Sequence, residues 1–210
     1  MTYKDYGWSQ AEYDAHRYLM PTIIRAIQDS AIPKQATILD AGCGGGYVLG
    51  ELHENGYQDV YGFDISESGI TVGKKTYEYL KERYAIHDGY EATLPASFPQ
   101  GAYDLVVSAE VVEHLYDPVR YLINIYQWLK SGGQVIVTTP YHGYVKNIIM
   151  VMANKFDQHV NPLWTGGHIK FFSQKTLSQL LTQAGFTCVR CYGAGRFPYV
   201  WKSMVMVGRK

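Results

Sequence analysis

The sequence predicts an α/β chain on a doubly wound, mostly parallel seven-stranded sheet with an antiparallel last strand. Three observations carry this. Short apolar runs alternate with segments of helical spacing, the pattern of parallel strands joined by right-handed crossovers. The run Ile38-Leu39-Asp40-Ala41-Gly42-Cys43-Gly44-Gly45-Gly46 reads as a buried strand that ends on an acid and breaks into glycines. A second strand-like run, 59–64, also ends on an acid, Asp64.

The elements follow in order. Residues 9–28 read as a helix despite Pro21, and residues 1–30 form a helical lid over the mouth of the site. After the strand before Gly42, a helical pattern starts at Tyr47. Residues 67–84 carry Ile70, Val72, Tyr77 and Leu80 at helical spacing. A short third strand covers 85–88, and 103–108 is a continuous buried strand. Asp117-Pro118 opens a helix as N-cap acid and first-turn proline. It runs through Trp128-Leu129 and stops at Ser131-Gly132-Gly133. The fifth strand, 134–139, is halted by Pro140. The rhythm breaks over 141–167, an insertion with no strand and one helical stretch over 144–155. Long segments at that place are usually pocket walls or lids. Ser173 caps a helix to Ala184, closed by Gly185. Two strands, 186–192 and 199–207, finish the chain. No repeat interrupts it, so residues 1–210 form one domain.

Composition narrows the function. At 47% hydrophobic residues the chain can bury a core without staples. Lys+Arg and Asp+Glu both number 19, so no net charge draws it to nucleic acid or an anionic membrane. No run approaches the roughly 20 apolar residues of a membrane span, and the N-terminal residues lack signal-peptide character. Three cysteines, one of them Cys43 in the glycine turn, point to a reducing cytoplasm. Cys188-Val189-Arg190-Cys191 is spelled like a redox or zinc pair, but without a second pair it reads as structural. Nineteen tyrosines and four tryptophans gather partly in 1–20 and 141–172, where they either floor a pocket or cover the core edge.

The glycine turn is the most informative feature. Glycines there let the backbone take positive φ and approach a ligand closely, while the helix behind presents free N–H groups. A dinucleotide turn needs Gly-x-Gly-x-x-Gly. Gly42 and Gly44 fit, but Tyr47 fills the third position, against a nicotinamide or flavin dinucleotide. Asp40 is badly placed for a pyrophosphate and well placed for a cationic end. S-adenosylmethionine has such an end, an ammonium beside a sulfonium. Asp64, roughly 20 residues after the first glycine, stands where a carboxylate accepts ribose hydroxyls.

The fourth strand runs into Ala109-Glu110-Val111-Val112-Glu113-His114. If that turn is helical, Glu110, Glu113 and His114 share one face. Two carboxylates and an imidazole suit manganese, iron, cobalt or zinc, with magnesium less matched to imidazole. Equally, an acid here can touch only the cofactor, and the histidine can serve backbone groups. His168, after the Gly166-Gly167 pair, returns toward the same sheet edge and would add a fourth ligand. His142 is the candidate general base, with His159 as another donor in the insertion.

These motifs resemble class I S-adenosylmethionine-dependent methyltransferases over nearly the whole chain: Leu39-Asp40-Ala41-Gly42-Cys43-Gly44, Gly62-Phe63-Asp64 and Tyr103-Asp104-Leu105-Val106-Val107. The resemblance implies a Rossmann-like methyltransferase fold. Glu110-Val111-Val112-Glu113-His114 is similar to the metal-binding stretch of the ubiquinone-biosynthesis catechol O-methyltransferases and of the 2′-O-methyltransferases of small-RNA 3′ ends. Gly167-His168-Ile169-Lys170-Phe171 resembles the latter's second histidine motif without its aspartate. The resemblance implies cofactor contacts at Gly42, Asp64 and Ala109. It also implies an N-terminal arginine, Arg17 here, on the donor's carboxylate. Asp88, after the third strand, is the expected adenine partner. The expected activity is O-methylation of a small molecule with possible divalent-metal assistance. Its rivals are an RNA 2′-O-methyltransferase, a metal-free N- or C-methyltransferase, a non-catalytic cofactor-binding partner and a nicotinamide oxidoreductase.

Overall fold

A computed structural model describes residues 5, 7–160, 163, 164 and 166–210. Its centre is a seven-stranded sheet: β1 (Ile38–Ala41), β2 (Val60–Asp64), β3 (Tyr84–Ile86), β4 (Tyr103–Ala109), β5 (Leu129–Pro140), β6 (Thr187–Ala194) and β7 (Ser203–Arg209). They lie in the order β3-β2-β1-β4-β5-β7-β6. The first five are parallel, and β7 enters antiparallel between β5 and β6.

Side chains alternate between the two faces, as a two-residue strand period requires. Ile136, Val205 and Val207 face one core with α1 (Asp14–Asp29) and α2 (Tyr47–Glu54). Val135, Val137, Met204 and Met206 face the other, with α4 (Pro118–Trp128) and α7 (Gln174–Gln183). Helices on both faces explain why the strands read as unbroken apolar runs.

Several boundaries differ from the sequence expectation, each for a local reason. The first helix starts at Asp14 rather than residue 9, because the Tyr13 amide donates to Nδ1 of His16 and caps it there. The segment 67–84 splits into α3 (Glu67–Thr76) and a 3-10 turn (Glu78–Arg83). Tyr77 leaves the helix at ψ 63, and its ring fills the space beside Gly50. β5 begins at Leu129, which pairs with Tyr103 before the chain bulges and resumes pairing at Gln134. β7 starts at Ser203 rather than 199, because Tyr199 takes φ 69, incompatible with a strand. Asp117 caps α4 as expected, accepting from the Arg120 amide at 3.0 Å. Within 141–167 the chain forms α5 (Tyr144–Met152) and α6 (Phe156–Val160). All three cysteines are free.

Candidate functional site

A cleft of about 930 Å³ opens at the carboxyl ends of the central strands, where such sheets bind ligands. Its floor is the glycine turn. Gly42, Gly44 and Gly46 sit at φ 81, 49 and 80. The amides of Gly42 and Cys43 both donate to the Phe63 carbonyl, at 2.9 and 2.8 Å, tying the turn to β2. Neighbours crowd the turn so closely that a Cβ on Gly42 would lie 2.6 Å from Val111, and one on Gly44 2.4 Å from the Trp8 ring. Trp8 is held there by its amide, which donates to Ser68 Oγ at 2.9 Å. From the N-terminal segment, Trp8 and Tyr13 before the helix and His16 and Tyr18 within it line the cleft.

Two acids face this floor. Asp64 accepts from the amides of Gly44 and Ser66, each at 2.8 Å, which orients its carboxylate along the turn. Burial raises its pKa, and those amides hold it back. Asp40 is 1% exposed and neither oxygen has a hydrogen-bond partner among the described residues. Burial, with the Asp64 charge adding, pushes its carboxyl up to about 8. An unsatisfied buried carboxylate on a cleft wall is a strong attractor for a cationic ligand. Asp88 lines the cleft too, turned by a 2.9 Å bond from the Tyr90 amide, and Ala109 lines it at the end of β4.

The expected single helical face over 110–114 does not form. Glu110 takes φ 56, and only Val112–His114 winds into a 3-10 turn. The two glutamates stay close enough for their charges to interact but have different surroundings. Glu110 accepts from Thr138 Oγ1 at 2.8 Å and Ser203 Oγ at 3.2 Å, and Tyr18 joins the network through Ser203 at 3.1 Å. Glu113 is fully buried with both oxygens unpartnered among the described residues. Burial and the neighbouring Glu110 raise its pKa.

His168 is brought to Glu113 by backbone. The Glu113 carbonyl accepts from the amides of Ile169 and Lys170 at 2.9 and 3.0 Å. His114 Nδ1 lies 2.8 Å from the Gly166 carbonyl; a carbonyl only accepts, so Nδ1 carries the proton and the lone pair is on Nε2. Burial lowers the His114 pKa, favouring the neutral ring. One ligand atom from each of Glu113, His114 and His168 lies within 4.8 Å of the others. A buried, unpartnered carboxylate with two imidazoles fits a divalent cation of borderline hardness. Trp164 packs its edge against both histidine rings, at 5.8 Å.

Other expected residues lie elsewhere. Arg17 pairs with Glu12 at 2.9 Å on the surface, 73% exposed, and does not line the cleft. His142 is buried against Phe171 and is likewise absent from the cleft wall, so the base role finds no contact there. The side chain of His159 lies outside the described residues. Conversely, Trp8, His16, Tyr18, Lys146 and Arg196 line the cleft without having been singled out. For Lys146 a signal existed, a cation inside the apolar run 144–152.

Comparison with known proteins decides the family. The family described as "Methyltransferase domain" matches residues 11–190. The chain belongs to the class I S-adenosylmethionine-dependent methyltransferases. Among its relatives is a ubiquinone biosynthesis O-methyltransferase of Hydrogenovibrio crunogenus, 27% identical over 85% of this chain and 73% of that one. Another, from Ruegeria sp., is 30% identical over 79% of this chain and 66% of its own length. A tRNA U34 carboxymethyltransferase of Shewanella loihica is 28% identical over 88% and 56%. In fold, this methyltransferase resembles magnesium protoporphyrin IX methyltransferase of Synechocystis with bound S-adenosylhomocysteine. The TM-score is 0.70 at 16% identity, covering 98% and 90% of the two chains. The [4+2]-cyclase SpnF superposes equally well, at TM-score 0.70, 14% identity and coverage of 100% and 88%. The fold alone therefore does not choose the reaction. Among the described residues no helix is long and apolar enough to cross a membrane.

Proposed function

We propose that this methyltransferase transfers the methyl group of S-adenosylmethionine to an oxygen of a small molecule, with a divalent cation bound by Glu113, His114 and His168. The observation that carries the metal half is the buried Glu113 carboxylate, which has no hydrogen-bond partner among the described residues and lies beside two imidazoles. A buried charge in that state is costly, and a cation would relieve it. Manganese, iron or zinc suits this donor set, magnesium less so.

On the donor side, Gly42 and Gly44 let Val111 and Trp8 pack close against the turn, Asp40 faces the ligand's cationic end and Asp64 its ribose. Asp88 takes the adenine side, and Ala109 the methionine side. Trp8 closes over the turn and excludes water. The bound donor supplies an electrophilic methyl carbon, whose bond to sulfur breaks as the bond to the acceptor oxygen forms, the hydroxyl proton leaving to solvent. A cation at the triad would lower the hydroxyl pKa and fix the attacking oxygen. Glu110, bound to Thr138 and Ser203, lines the cleft beside the triad as a positioning residue. Orientation alone can supply roughly 7 kcal/mol or more of such a barrier. The 19-to-19 balance of basic and acidic residues supports a small acceptor over RNA, whose binding leans on phosphate contacts.

Dialysis against a chelator, with methyl transfer to catechol-type acceptors and metal content measured together, tests this. Metal-free protein is expected to lose turnover and regain it with manganese, iron or zinc. Full turnover after stripping would remove the cation from the reading and leave methyl transfer intact.

A further inference from the structure

We infer that the acceptor carries an anionic group, a carboxylate or a phosphate, held at the far end of the cleft by Lys146 and Arg196. The inference rests on the methyl-transfer reading above, because it assigns that end of the cleft to the acceptor.

The cleft is divided by charge although the chain as a whole is balanced. Asp40, Asp64 and Asp88 line the donor end. The side built by the insertion and by the connection between β6 and β7 carries Lys146, Lys155, Arg196 and Lys202. Topology produces this meeting. β7 runs antiparallel to β5 and pairs Ser203 with Pro140, so the residues before β7 and those after β5 share one edge. Glu110 is the one acid lining that side among the described residues, and it is engaged by Thr138 and Ser203.

Lys146 is the anomaly. It is 6% exposed, and a buried ammonium normally demands a counter-charge. Its hydrogen bond goes to a neutral group, the Lys202 carbonyl, at 3.1 Å. That carbonyl also accepts from the Tyr141 amide at 3.0 Å. An ammonium has three donors, so two remain toward the cleft. No acid lies within ion-pair distance of Lys146, Lys155, Arg196 or Lys202 among the described residues. Burial and the nearby Arg196 charge press Lys146 down to about 8, with Glu110 only partly opposing. An anion between Lys146 and Arg196 would relieve both. Met150 and Trp164 supply apolar wall beside them, so the ligand that fits is an apolar or aromatic body with an acidic group.

Calorimetry on the full chain with S-adenosylhomocysteine bound tests the clamp without requiring turnover. The probes are 3,4-dihydroxybenzoate against its methyl ester, and phenyl phosphate against phenol. At least one acid is expected to bind about 10-fold or more tightly than its neutral partner, the worth of a charge-assisted hydrogen bond. Whichever acid shows the larger preference identifies the group. Arg196→Gln, at an exposed position, and Lys146→Met should each erase most of that preference while leaving the ester and S-adenosylhomocysteine affinities unchanged. Equal binding of acids and neutral partners, failure of both acids to bind, or equal weakening of acid and ester by Arg196→Gln would overturn the inference. Acid preference without methyl transfer would overturn the proposed function instead, and methyl transfer without acid preference only the clamp.

Discussion

Replacing Asp40 with asparagine should make the ligand-free protein more stable at alkaline pH while weakening its hold on the donor. The folded carboxyl is pushed up to about 8 against 3.8 for the ordinary group, because it is buried beside Asp64 without a hydrogen-bond partner among the described residues. A folded-state pKa above the unfolded one gives stability that is complete below pH 3.8 and lost as pH rises toward 8. At 1.36 kcal/mol per unit over about four units, the ceiling on that loss is ~5 kcal/mol. Allowing about a unit on the folded value, the wild-type protein gives up ~3–5 kcal/mol between pH 4 and pH 8.5 through this group. In a chain of this size 1 kcal/mol moves Tm by roughly 2–4 °C. The fall in Tm from pH 4.5 to 8.5 should therefore be about 6–20 °C smaller in Asp40→Asn than in wild type, read by circular dichroism. Comparing slopes cancels the fixed cost of burying an amide. Binding of the cationic donor at pH 7 should also release close to one proton from wild type and none from the variant, measured by calorimetry in two buffers. Identical pH slopes in both proteins would refute the assignment of Asp40 as an uncompensated buried carboxyl.

Two further substitutions probe how the floor is held. Gly44→Ala places a Cβ 2.4 Å from the Trp8 ring at φ 49, so it should displace the lid, cost about 1–2 kcal/mol and weaken the donor's Kd several-fold; an unchanged Kd would mean Trp8 is not part of the site. Tyr121→Phe removes a hydroxyl that donates to the Ala41 carbonyl at 2.9 Å and lies 2.9 Å from Ser108 Oγ, in full burial. Urea unfolding should show a loss of about 1–3 kcal/mol, and no loss would show that neither partner depends on it.

The glycine-turn end of the cleft was legible because its requirements are local. Positive φ at Gly42 and Gly44, an acid ending β1 and another ending β2 are written in short contiguous runs. The far end of the cleft was legible in residue type but not in arrangement. Glu110, Glu113 and His114 suggested one helical ligand face, yet the backbone at Glu110 is left-handed and its carboxylate is bound by Thr138 and Ser203. Nothing in the sequence around His142 revealed that it does not line the cleft. Trp8 offered no pattern, since its role depends on a hydrogen bond to Ser68 in a different element.

The chain's own order of residues was enough to determine the layered α/β architecture and the family, because backbone conformation and strand burial follow from neighbours in sequence. Only the folded molecule decided which histidine meets Glu113, which glutamate stays with the sheet, and that Lys146 and Arg196 face one space. Those outcomes depend on where long connections land after β5 and β6 are paired through β7, and that placement is set by contacts between segments far apart in the chain.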